Sequence, residues 1–144
     1  MCNADFENVR DRLMNEVELG PIWATLYATR NGRCEYCKRD LIHDRLGYAC
    51  AEIDHLLSQA GLAKHGIDQQ ITDSPENFVL SCSLCNNLKG QHWILLNGED
   101  PWRMLTHHRR ELIERVRQHI GPIAEERDQA WMNAREIVLG VNRH

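Results

Sequence analysis

Apolar residues recur at helical spacing toward both ends of the chain and in short, strand-like runs between them. Phe6, Val9, Leu13 and Val17 gather near one helical face, with Asp5 placed to cap the helix and Gly20-Pro21 to end it. Pro21 opens a second helical piece over 22–29, in which Ile22, Trp23, Leu26 and Tyr27 are apolar, and Asn31-Gly32 predicts a turn. Residues 48–57, Tyr-Ala-Cys-Ala-Glu-Ile-Asp-His-Leu-Leu, read as a strand. Residues 58–76 carry Gly, Lys, Asp, Gln and a Ser-Pro step without a clear period, which predicts a long loop. Phe78-Val79-Leu80 is the short returning strand, and Ser83 is placed to cap a helix from Leu84 to about Gly90, which sets Asn86 and Lys89 on neighbouring turns. Asp100 and Pro101 then supply an N-cap and a first helical position for a helix to about His119. Its apolar side is Trp102, Leu105, Leu112, Ile113, Val116 and Ile120. Gly121-Pro122 predicts a break before a last helix over 123–139, with Ile123, Ala130, Trp131, Ala134, Ile137 and Val138 on its apolar face and Gly140 as C-cap.

Four cysteines change this picture. Cys34/Cys37 and Cys82/Cys85 each place two thiols in one tight knuckle, and four thiolates around a tetrahedral zinc make a closed structural site. Such a zinc holds and does not cut. It clamps the segment 38–81, which carries Asp54, His55 and Asn77, against the helix carrying Asn86. A redox CxxC or disulfides are the alternatives, but no thioredoxin-like signature accompanies the pairs and no secretory leader is read at the start. Cys2 and Cys50 are left over as ordinary thiols, the second expected inside a strand. A carboxylate, an imidazole, an amide and a lysine between and beside the knuckles are the groups that a one-metal phosphodiesterase needs.

In the order CxxC, Asp54-His55, Asn77 and then Cys82-Ser83-Leu84-Cys85-Asn86-Asn87-Leu88-Lys89, the chain resembles the HNH endonucleases of the ββα-metal class over roughly residues 30–92. The resemblance implies an α+β fold, a ββα-metal core with a four-cysteine structural zinc, flanked by N-terminal helices (1–29) and a C-terminal helical pair (96–144), with the core itself at 30–95. It implies that His55 is the general base, Asp54 and Asn86 hold a catalytic magnesium or manganese ion, and Asn77 ties the long loop and orients the base. Hard divalent ions take oxygen ligands, which a carboxylate and an amide carbonyl supply. A neutral imidazole with a pKa near about 6.5 can take a proton from water near neutral pH. Lys89, near a helix N-terminus, is expected to meet phosphate. Asn87 reads as a helix-surface residue and His92 as a surface histidine, while His43, His65, His107, His108, His119 and His144 have no ligand spacing. Two departures stand out. Ser58 replaces the proline usual three residues after the histidine, which predicts a less rigid strand exit. Asp54 and His55 are adjacent, so a regular strand sends them to opposite faces unless it bends or ends there.

Charge refines the expected partners. A net charge of −4 opposes strong unspecific binding to nucleic acid. Arginines concentrate in 101–120, where Arg103, Arg110 and Arg117 would fall in one helical stripe facing DNA, against the plain reading of a solvated face in which Glu114 pairs with its neighbours. Length fits one domain, and no apolar run is long enough to span a bilayer, so a soluble, cytoplasmic, bacterial protein is expected. The reading that follows is a metal-dependent endonuclease on DNA, with RNA as the alternative substrate. A zinc-stabilised binding or scaffolding subunit is the second reading. A third is an effector nuclease of a phage-defence or restriction complex activated by a partner, and the C-terminal helices either pack on the core or form a homodimer or partner surface.

Overall fold

The computed structural model describes residues 3–140, so Cys2 and His144 lie outside the described residues. Helix α1 (Asn3–Glu16) holds Asp5 in its first turn, not at its cap. The chain leaves it through Glu18, at φ +57, and Leu19 N–H bonds back to the Leu13 carbonyl. Helix α2 (Pro21–Arg30) starts on Pro21 and ends on Asn31 in the left-handed region. Gly32 follows at φ +62, and a Cβ there would come within 2.7 Å of the Ile42 side chain, so the turn into the first knuckle needs glycine.

Two strands, β1 (Ala51–His55) and β2 (Phe78–Cys82), pair antiparallel, with Ala51 opposite Cys82, Asp54 opposite Val79 and His55 opposite Phe78. The first strand is shorter than its sequence predicts. Residues 45–49 form a short helix, α3 (Arg45–Ala49), capped by the Asp44 side chain on Gly47 N–H, and Cys50 is the half-buried residue that closes it rather than a strand residue.

The expected loop 58–76 folds into α4 (Gln59–Lys64), α5 (Gln69–Thr72) and a 3₁₀ turn (Pro75–Asn77). Helices of one turn or so are too short to show a period, and their caps are the only local signal. Ser58 supplies one of them: its Oγ accepts from Gly61 N–H at 3.1 Å and lies 3.4 Å from the Gln91 carbonyl. Asn77, fully buried, accepts from Leu57 N–H at 2.8 Å and donates to the Leu57 and Thr72 carbonyls at 3.1 Å each. Hydrogen bonds therefore fix the strand exit where a proline ring was lacking, which corrects the looser exit that Ser58 suggests. Gly61 is required here too, because a Cβ would fall 2.2 Å from the Trp93 ring, which also stacks on His65.

Helix α6 (Ser83–Lys89) follows β2 directly, and its cap is the Cys82 sulfur, not Ser83. After a loop, α7 (Pro101–His107) starts as expected at Asp100 and Pro101. The C-terminal break falls at His108, not at Gly121-Pro122: α8 runs unbroken from Arg109 to Leu139 with Pro122 inside it. An interior proline costs a helix about 3 kcal/mol, but Ile120 is buried and Ile123 and Ala124 pack against the core on either side, which holds this turn in place. Farther on, nothing among the described residues covers the expected apolar face: Trp131 is 62% exposed and Ile137 82%. One core cluster runs from Leu26 and Tyr27 through Tyr36, Leu80 and Leu88 to Leu105, Leu112 and Val116, so the flanking helices share the knuckle's core. The result is an α+β architecture around a two-stranded antiparallel sheet.

Glu35 ties these parts together. It is buried, and its carboxylate accepts from Leu80 N–H at 2.9 Å while pairing with Arg30 at 2.9 Å and Arg109 at 2.6 Å. Arg109 continues to the Glu76 and Phe78 carbonyls. Removing one partner of a buried ion pair leaves the others desolvated and uncompensated, so Glu35→Ala is expected to cost about 3 kcal/mol in urea unfolding. A loss below about 1 kcal/mol would reduce the cluster to a surface ion pair.

Candidate metal centre and active-site strand

The two knuckles meet. Cys34 and Cys37 lie in the turn that Arg33 and Asp40 close by bridging, Cys82 ends β2, and Cys85 lies in the first turn of α6. All four sulfurs lie within 4.8 Å of one another, with Cys37 and Cys82 3.8 Å apart. A tetrahedral zinc with Zn–S bonds of about 2.3 Å needs sulfur–sulfur edges of about 3.8 Å, so the cluster fits a structural zinc by spacing and by donor type. Hydrogen bonds from Cys37, Cys82 and Cys85 hold Cys34 far below the ordinary thiol range, and that thiolate pushes Cys82 and Cys85 up. Such a set is completed by a cation that takes all four as thiolates.

Beside this centre, β1 and α6 face each other through a ladder of polar side chains. Asp54 is buried and accepts from the Tyr36 hydroxyl at 2.6 Å on Oδ2. Burial and the adjacent Asp54 carboxylate push Tyr36 well above its ordinary value, so it is a standing donor. Lys89 Nζ lies 3.3 Å from Asp54 Oδ1 and 3.1 Å from Oδ2, and donates to the His55 carbonyl at 2.7 Å. Its side chain is 1% exposed, so Lys89 is an internal partner of Asp54 and not the phosphate contact its place on α6 suggests. One step along, Asn86 gives its Nδ2–H to Glu52, which leaves Oδ1 as the amide's ligand atom. Glu52 escaped the sequence reading, although it stands two residues before Asp54 and period-two alternation puts both on one face. Glu52, Asp54 and Asn86 thus bring oxygen atoms, the donor type that hard divalent ions take, to the place where β1 and α6 meet.

His55 is the last residue of β1, so the chain leaves the sheet there. Its ring packs edge-on against Phe78 with centroids 5.2 Å apart, and Nε2 lies 3.4 Å from the Gln59 amide. Burial lowers its pKa, opposed by Asp54 and Asp73, so the imidazole is neutral at neutral pH.

The arginines divide differently from the sequence pattern. Arg103 lies on α7 and Arg110 and Arg117 on α8, so the break at His108 splits the expected stripe. Arg117 pairs with Glu114 at 3.6 Å, as on any solvated helix face. Arg109 turns inward to Glu35, and Arg115 to Glu99 at 2.6 Å and to the Ile94 carbonyl. Hydrogen bonding to Arg115 lowers Glu99 to about 2. His92 and His119 stack face to face with centroids 3.6 Å apart, a partnership that sequence spacing did not reveal.

One tightly held zinc per chain is the expected result of metal analysis. A structural zinc site contributes about 10–16 kcal/mol of apparent binding energy, so Cys34→Ser with Cys82→Ser should release the metal and unfold the core. Unchanged zinc content and melting temperature in that double variant would refute the clamp.

Neither curated proteins nor solved structures give a match to this chain. Residues 34–92, which hold both knuckles, β1, β2, α6 and the polar ladder between them, match the family model described as HNH endonuclease.

Proposed function

We propose that the chain is a metal-dependent endonuclease that hydrolyses phosphodiester bonds, with DNA as its substrate. The observation that supports this reading is the meeting of β1 and α6, where Lys89 contacts Asp54 and Asn86 contacts Glu52 next to the strand end that bears His55. In this reading a magnesium or manganese ion held by Asp54 and Asn86 supplies positive charge to the scissile phosphate and the leaving 3′-oxygen. His55, kept neutral by burial, accepts the proton of the attacking water. Lys89 and Tyr36 hold the Asp54 carboxylate in its orientation, and Asn77 holds the backbone just beyond His55. The products carry 5′-phosphate and 3′-hydroxyl ends.

In this reading phosphate contact falls to cations on the knuckle and α8. Lys38 on the knuckle and Arg110 and Arg117 on α8 line one open groove of about 500 Å³, which Glu35, Glu111 and Glu114 also line. With Arg109 and Arg115 used internally and a net charge of −4, this surface gives modest DNA affinity, which favours action within a complex whose partner supplies the rest. A defence or restriction complex is one such setting.

Plasmid cleavage tests the reading. His55→Ala should keep zinc and fold and lose cutting by about two to four orders of magnitude, the usual contribution of a general base. Asn86→Ala should lose activity as well but recover part of it at high manganese, since Asp54 and Glu52 remain. A His55 variant that cuts as fast as the parent would end the nuclease assignment and leave a binding or scaffolding module.

A further inference from the structure

Tyr36 lies between the two knuckle cysteines, is 1% exposed, and sends its hydroxyl across to the carboxylate that the nuclease reading makes a metal ligand. A 2.6 Å contact between a phenol and a carboxylate is in the range of charge-assisted hydrogen bonds. Its backbone has little freedom. Cys34 N–H bonds to the Arg39 carbonyl at 2.9 Å, Lys38 N–H to the Cys34 carbonyl at 2.9 Å, and Glu35 N–H to the Leu80 carbonyl at 2.9 Å, so the turn carrying Tyr36 is closed on itself and fastened to β2. Drawing Cys34 and Cys37 onto one ion with Cys82 and Cys85 fixes that turn from both sides of the tyrosine.

We infer that Tyr36 is a positioning residue that couples the four-cysteine centre to the active-site carboxylate, setting the orientation of Asp54 and with it the affinity for the catalytic ion. The inference rests on the nuclease reading above. Asp54 Oδ2 is taken by Tyr36 at 2.6 Å and Lys89 at 3.1 Å, whereas Oδ1 holds only the 3.3 Å Lys89 contact, so Oδ1 is the oxygen offered to an ion. Two effects of losing the hydroxyl oppose each other. The carboxylate becomes a stronger donor, but it also gains freedom to rotate. Partners that orient a metal ligand from behind typically matter by about 10–100-fold in metal affinity or activity, so the loss of orientation wins. A tyrosine that only filled the core would change stability and leave ion affinity alone.

The test is Tyr36→Phe, which keeps the ring and deletes one oxygen, compared with the parent and with Asp54→Ala in the zinc-loaded full chain. Manganese binding without DNA, read by electron paramagnetic resonance, should weaken by about 10–100-fold in Tyr36→Phe while zinc content stays at one per chain. In plasmid cutting, the manganese concentration for half-maximal rate should rise by the same factor, with the rate at saturating manganese changed only a few-fold. Parent-like manganese affinity in Tyr36→Phe overturns the inference and leaves the nuclease reading standing. Manganese binding that is absent from the parent, or indifferent to Asp54→Ala, overturns both. A second measurement needs no variant: linkage is reciprocal, so saturating magnesium should tighten the parent's zinc binding in equilibrium competition with a zinc-selective chelator. Equal zinc affinities with and without magnesium contradict the coupling.

Discussion

Four thiols drawn from two places far apart in sequence converge on one small volume, and the geometry of the rest follows from that closure. A two-stranded sheet is marginal by itself in water. Here β2 ends on Cys82 and passes straight into α6 with Cys85, so the cluster fastens the sheet's last residue and the helix's first turn to the knuckle. Glu35 and Tyr36, the two residues between the knuckle cysteines, are thereby pressed into the core. One gathers Arg30, Arg109 and the β2 backbone, and the other reaches Asp54 on β1. The same turn thus serves structural closure and site geometry.

Much of this was legible in the chain. The two CxxC pairs announce the cluster they form, and the strands and helix that carry Asp54, His55 and Asn86 have clear patterns. What escaped was set by tertiary contact. Lys89, read as a phosphate contact near a helix N-terminus, is instead the last residue of α6, and the carboxylate of a strand distant in sequence turns it inward. Arg109 and Arg115 belong to the arginine-rich stretch 101–120, but backbone carbonyls and the carboxylates of Glu35 and Glu99 claim them. The break between α7 and α8 sits at His108, which carries no strong breaker signal, and Pro122 stays helical because its neighbours are held by the core. Glu52 was within reach of simple alternation along β1. Tyr36 was not, since nothing in Cys-Glu-Tyr-Cys says where a phenol will point.

Electrostatics adds a constraint on how such a site works. The described fold uses several of its cations internally, and those left exposed on the knuckle and α8 share their groove with acids. Beyond Ala124, α8 continues with an apolar face that nothing among the described residues covers. On the proposed nuclease reading, a net charge of −4 and a helix that carries exposed apolar side chains fit an enzyme whose substrate affinity depends on assembly. No helix among the described residues is long and apolar enough to cross a membrane.

The central claim is that one ion held by four thiolates organises the active strand without taking part in the chemistry. Zinc K-edge X-ray absorption on the purified chain addresses it directly. The account requires one zinc per chain with a single shell of four sulfurs at about 2.3 Å, unchanged when magnesium or manganese is added. Oxygen or nitrogen in that first shell, or a zinc environment that shifts to accept a water, would contradict a closed structural centre.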